Sequence, residues 1–187
     1  MFGCQGRYSP HKDIHLLKKT SPSGGALHPI EVYPLVQNVR GLASGLYHYN
    51  VEHHELELIE LIDSSETAEI ASVFTAGQSF ARDAPVLFVL TARFQRNFWK
   101  YRKHEKAYRA LLLDAGHLSQ TLYLVCTELG LGAFVTAAIN DVNIEERLGL
   151  NGFDEGVLAM LGCGIPGPRN ADLDPVFEPY VPGQTRL

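Results

Sequence analysis

Apolar positions along this chain follow two rhythms. Short alternating or continuous runs predict strands, and recurrence every three or four residues predicts helices. Glu31 to Val39 (EVYPLVQNV) predicts a strand, with Pro34 marking an edge or a bulge. Gly45 to Asn50 (GLYHYN) and His54 to Ile59 (HELELI) both alternate, and the break at Val51 to His53 predicts a β-hairpin. Ser65 to Gly77 predicts a helix. Pro85 to Thr91 (PVLFVLT) is an unbroken apolar run, the pattern of a strand buried on both faces.

The longest periodic stretch runs from about Lys103 to Leu129. Tyr108, Leu111, Leu112, Ala115, Leu118, Leu122, Val125, Cys126 and Leu129 share one helical face. Gly130 is a suitable C-terminal stop. Gly116 in the middle costs roughly 1 kcal/mol relative to alanine, which points to another backbone passing close by. Gly132 to Ile139 predicts a strand, and Val142 to Leu148 a short helix capped by Asn140-Asp141. Val157 to Gly162 predicts a last core strand. Residues 1–20 carry little periodicity, and the proline-bearing tail from Pro166 predicts an extended arm. There is no repeat, low-complexity tract or linker. The pattern is one α+β domain over residues 1–187.

Composition refines this picture in a few places. Hydrophobic residues at 45% and charged residues at 20% are the balance of a globular protein. A net charge of −5 argues against nucleic acid or an anionic membrane as partner. No apolar run is long enough to span a bilayer, and the N-terminus lacks the pattern of a signal peptide. Cys4, Cys126 and Cys163 are odd in number and far apart, so neither a disulfide framework nor a zinc site is expected, and a reducing cytoplasm is the default.

Three segments can carry chemistry. Thr20 to Pro29 (TSPSGGALHP) sets two glycines and two serine hydroxyls before a strand, so its backbone can approach a ligand, with Lys18 and Lys19 just upstream to meet a phosphate. A plain tight turn is the bland alternative. Phe98 to Arg102 (FWKYR) places Lys100 beside Tyr101. Each has a reference pKa near 10 and would need it lowered to act as a base at neutral pH. The bland alternative is a surface segment with an aromatic anchor. Leu129 to Ala133 (LGLGA) can open backbone donors to a flat ligand or simply cap the helix. His48, His53 and His54 cluster in the hairpin, but no carboxylate completes a metal set at familiar spacing, and a solvated hairpin is the favoured reading. Asp114 and His117 stand three apart on the long helix and can pair there.

In order and spacing these segments resemble the SagB-type dehydrogenases of the nitroreductase superfamily. SPSGGALHPIEVYPLV, GLASGLYHYN, the HELELIE strand, FWKYR, the Asp114-Ala115-Gly116-His117 helix with Gln120, and Gly130-Leu131-Gly132 carry the likeness over residues 16–168. KKTSPSGGALHPIEVYPL is especially similar to the peptide-maturation branch. The resemblance implies a nitroreductase-like α+β fold: a central mixed or antiparallel sheet, flanking helices and a long central helix, in a homodimer with FMN at its interface. It implies cofactor contacts from Pro22, Ser23, Gly24, Gly25, His28, Gly130, Leu131, Gly132 and Arg169. It implies Lys100 and Tyr101 as the catalytic pair in oxidising a peptide azoline to an azole, and partner proteins of peptide maturation. The family's usual Arg-rich first helix has no match here, so the chain reads either as part of a longer protein or as a domain with a weakened cofactor site. A generic NAD(P)H-dependent nitro or quinone reductase and a cofactor-poor scaffold subunit are the alternatives.

Overall fold

The computed structural model describes residues 3–12 and 14–167. Its centre is a six-stranded antiparallel sheet of β3 (Ile30–Val36), β4 (Gly45–Asn50), β5 (Glu55–Leu61), β6 (Val86–Arg93), β7 (Gly132–Thr136) and β8 (Glu155–Gly164), in the order β5-β4-β3-β6-β8-β7. The expected hairpin forms between β4 and β5, and the apolar run at Pro85 lies in β6, flanked by β3 and β8. Ahead of the sheet, β1 (Cys4–His11) and β2 (Ile14–Lys19) form a separate antiparallel pair, which the weak periodicity of the first twenty residues did not predict.

Side chains alternate across the sheet because successive strand residues face opposite sides. Tyr33, Leu35, Leu87, Val89 and Met160 pack on one face against α1 (Ser64–Phe74), α2 (Ser79–Arg82) and α5 (Asp141–Leu148) through Ile70, Ala71, Phe74, Ala81 and Ile144. Ile30, Val32, Leu90, Ala92 and Leu161 pack on the other face against α4 (Tyr108–Glu128) through Leu111, Ala115, Leu118, Leu122 and Cys126. The result is a sheet between two helical layers, with α4 the main helix on one side. No described helix is long and apolar enough to cross a membrane.

Two expectations change. Pro34 does not mark an edge, since β3 lies between β4 and β6. It is tolerated because β4 registers with β3 only at Leu35 and Val36, so the missing N–H falls where one side of the strand has no ladder. The buried stripe of α4 is also narrower than the sequence suggests. Tyr108, Leu112, Val125 and Leu129 are exposed, as are Leu113 and Leu124. The 103–107 segment expected to open this helix lies in turns instead. The Phe98 to Arg102 stretch read as a surface segment falls at the end of α3 (Phe94–Tyr101), which enters directly from β6.

Candidate active site

The Ser21 to Gly24 stretch lies along the amino-terminal half of α4 and is bonded to it residue by residue. Ser21 Oγ is 3.3 Å from Thr121 Oγ1, and the Pro22 carbonyl is 3.2 Å from His117 Nδ1. Asp114, only 2% exposed, accepts Ser23 Oγ at 2.6 Å on one carboxylate oxygen and the Gly24 N–H at 2.9 Å on the other. Ser23 Oγ in turn accepts the His28 N–H at 2.8 Å, and the Ala26 N–H returns to the Ser23 carbonyl at 3.0 Å. Glycine is favoured at 24 and 25. A Cβ on Gly24 would lie 3.0 Å from Ala110 Cβ, and Gly25 sits at φ +65°, where an L side chain is strained. Asp114 and His117 therefore do not pair with each other, as their spacing suggested. Each holds the turn.

Helix α3 closes over the other side of the same turn. Arg96 and Lys100 are one helical turn apart, so both heads reach the same segment. Arg96 Nη1 donates to the His28 carbonyl at 3.2 Å, and Lys100 Nζ donates to the Gly25 carbonyl at 3.3 Å. A Cβ on Gly25 would stand 2.6 Å from Lys100 Nζ and 2.9 Å from the Tyr101 hydroxyl. Seventy-five residues apart in sequence, Gly25 and the Lys100-Tyr101 pair are thus neighbours, and a cation and a phenol converge on a backbone turn with no side chain of its own.

The other candidates are dispersed. Gly130 (φ +68°), Leu131 and Gly132 follow the far end of α4. Asp114 to Glu128 spans about 21 Å of helix rise, so within one chain they do not meet the Pro22 to Gly25 turn. Lys18 is exposed, whereas Lys19 is 9% exposed and turned inward. Burial, chiefly, pulls Lys19 down to about 8, against the opposing attraction of Glu31. His28 is half-buried at φ +47°, and its imidazole is lowered first by burial and then by Lys19. Arg169 lies outside the described residues. His48 is not solvated but partly buried, with Nε2 3.2 Å from Glu31 and Nδ1 2.8 Å from Glu57.

Beside the turn opens a cleft of about 470 Å³, of ligand size, whose walls include Lys19, Ala26, Leu27, His28, Arg93, Arg96 and Trp99. Its floor is buried Glu31, 2.6 Å from Arg96 Nη1 and 3.5 Å from Arg93 Nε. Arg93 also reaches Glu155 at 3.0 Å, which accepts the Tyr33 hydroxyl at 2.9 Å. A larger cleft of about 610 Å³ lies beyond β3 around Gln37, Ser64 and Arg82 and holds none of the candidate groups.

Sequence reasoning missed Glu31, Arg93 and Arg96. Glu31 and Arg93 gave only the signal of charge at the end of an apolar strand, and Arg96, inside α3, gave none.

Comparison with known proteins places the chain among relatives. The nitroreductase family model matches residues 12–165. Trifolitoxin-processing protein TfxB of Rhizobium leguminosarum bv. trifolii is 36% identical over 146 residues, covering 76% of this chain and 38% of that protein. A solved structure from Anabaena variabilis superposes with a TM-score of 0.75 at 24% identity, over 96% of this chain and 35% of that one. The E. coli microcin synthetase McbBCD complex with truncated pro-MccB17 bound contains a chain that superposes with a TM-score of 0.68 at 24% identity, covering 87% of this chain and 60% of that one. This chain therefore spans less than two thirds of each.

Proposed function

This chain belongs to the nitroreductase family, and from that premise we propose that it is an FMN-dependent oxidoreductase removing two hydrogens from a modified peptide, converting an azoline to an azole. The observation that carries this reading is the convergence of Lys100 and Tyr101 on the Gly25 turn. Relatives named for trifolitoxin processing and for a synthetase bound to a pro-peptide support a peptide as substrate and maturation proteins as partners.

The chemistry assigns each part a task. Lys100, beside the Tyr101 hydroxyl, is the group assigned to take the proton from one ring carbon. FMN, when bound, would supply the acceptor for the hydride of the neighbouring carbon, so that the ring double bond could form between the two carbons. The Gly25 carbonyl holds the Lys100 amine by one donor and so fixes its position toward the substrate. Trp99 and Arg96 on the cleft wall offer an aromatic face and a cation for peptide flanking the ring.

The fit of a flavin is judged from the groups at the two ends of α4. A flavin needs apolar support, open backbone and a cation for its phosphate. Gly130 and Gly132 lie beside exposed Leu129 and Val135, with Phe80 packed edge-on against Phe134 at 4.7 Å. At the other end stands the Gly25 turn. Between them the outer face of α4 is exposed and apolar at Leu112, Leu113 and Leu124, and a Cβ at Gly116 would meet nothing. Two copies packed through this face, antiparallel about a two-fold axis, would join one copy's turn to the other's Gly130 to Gly132. These residues fit FMN, with Arg169 as the phosphate candidate.

The test is incubation of the protein with FMN and an azoline-bearing peptide, read by mass spectrometry as loss of two hydrogens. Lys100→Ala and Tyr101→Phe are expected to cut that loss while FMN stays bound. Unchanged turnover in both variants overturns the assignment.

A further inference from the structure

We propose that Asp114 is a positioning residue for Lys100, acting through the Ser23 to Gly25 turn. The proposal rests on the reading of Lys100 as the base, and its test separates the two. Asp114 is a buried carboxylate with no Lys or Arg ion pair among the described residues, and its two oxygens are spent on Ser23 Oγ and the Gly24 N–H. Hydrogen bonds to a buried carboxylate are charge-assisted and short, so they fix their donors firmly. One residue further on, the Gly25 carbonyl receives Lys100 Nζ.

The turn between these contacts has little freedom. The Ala26 N–H closes it onto the Ser23 carbonyl at 3.0 Å, and the His28 N–H closes it onto Ser23 Oγ at 2.8 Å. Gly24 lies close against α4, where an added Cβ would stand 3.0 Å from Ala110 Cβ. The direction of the Gly25 carbonyl is thus set by Asp114, and that carbonyl in turn sets the amine of Lys100. Lys100 is itself exposed on a flexible stem, so nothing else in its own helix would hold it in one place.

Asp114→Asn keeps the shape but leaves one acceptor oxygen for two donors, the Ser23 hydroxyl and the Gly24 N–H. Ser23→Ala is the milder variant and leaves the Gly24 contact in place, so it serves if Asp114→Asn does not fold. Two measurements decide the proposal. The first is the labelling rate of each lysine by acetic anhydride, read by peptide mass spectrometry. The proposal predicts faster labelling of Lys100 in both variants, released from the Gly25 carbonyl, with exposed Lys103 and Lys106 unchanged. An unchanged Lys100 rate in both overturns it, whatever the enzyme's activity.

The second is a double-mutant cycle in peptide oxidation. Asp114→Asn is expected to lower kcat by about tenfold or more with KM little altered. The same change in a Lys100→Ala background is expected to cost nothing further, because the two act as a unit. Equal losses in both backgrounds overturn the positioning role. If Lys100→Ala leaves turnover intact, the base assignment falls, and the labelling result still decides whether Asp114 holds the amine.

Discussion

Lys100 Nζ lies 3.3 Å from the carbonyl oxygen of Gly25, a residue at φ +65° whose missing side chain is the space the amine occupies. Gly25→Ala therefore acts twice. The left-handed backbone costs about 1 kcal/mol with an L side chain. The clash falls on the far end of a flexible lysine, which can swing away at little further cost to stability. The expected outcome is a modest drop in unfolding free energy by urea titration, with a much larger drop in turnover. Wild-type turnover in a folded Gly25→Ala variant would mean that the amine does not work from this position.

Glu31 is the shared partner of Arg96, Arg93 and His48, and it is 5% exposed. Glu31→Gln leaves Arg96 without its charge at 2.6 Å. Both arginine heads are more than a third exposed and can turn to water, so the cost is well below that of a sealed pair. A loss of about 1–3 kcal/mol is expected in chemical denaturation. A loss below a few tenths would show that the network is solvated in solution.

Burial of Lys19 gives a pH dependence of known sign. Its folded value is about 8 and its ordinary value 10.5, so between these the unfolded chain binds more protons and stability rises with pH. Cys163, raised by burial from 9 to about 11, acts in the opposite sense between those values. The stability of wild type minus that of Lys19→Met isolates the lysine. That difference is expected to climb from pH 8 to 10.5, and a flat difference contradicts the buried placement.

The apolar outer face of α4 predicts self-association. Leu113 is 62% exposed and Leu124 63%, on a helix whose inner face already covers the sheet. The protein is expected to sediment as a dimer and Leu113→Glu as a monomer. A monomeric wild type at high concentration would remove the proposed route by which the two ends of α4 meet.

Much of this architecture is legible before the structure. The hairpin, the β6 run and the long helix follow from periodicity, because each buries a face whose spacing is fixed by backbone geometry. Helix α3 was not legible, since its stripe of Phe94, Phe98 and Tyr101 spans only eight residues and follows β6 without a break. The same limit applies at the site. Lys100, Tyr101 and the double glycine stood out by type, but Asp114 looked like a partner for His117 because helical spacing is the only proximity a sequence displays. Its real partners are 90 and 91 residues away.

A flavin taking electrons beside Lys100 is the heart of the proposed function. It is tested by the visible spectrum of protein loaded with FMN, desalted, and then mixed anaerobically with an azoline-bearing peptide. Flavin bands are expected to survive desalting and to bleach on mixing, with bleaching lost in Lys100→Ala and the bands retained. Protein that keeps no FMN, or keeps it without bleaching in the presence of peptide, would overturn that function.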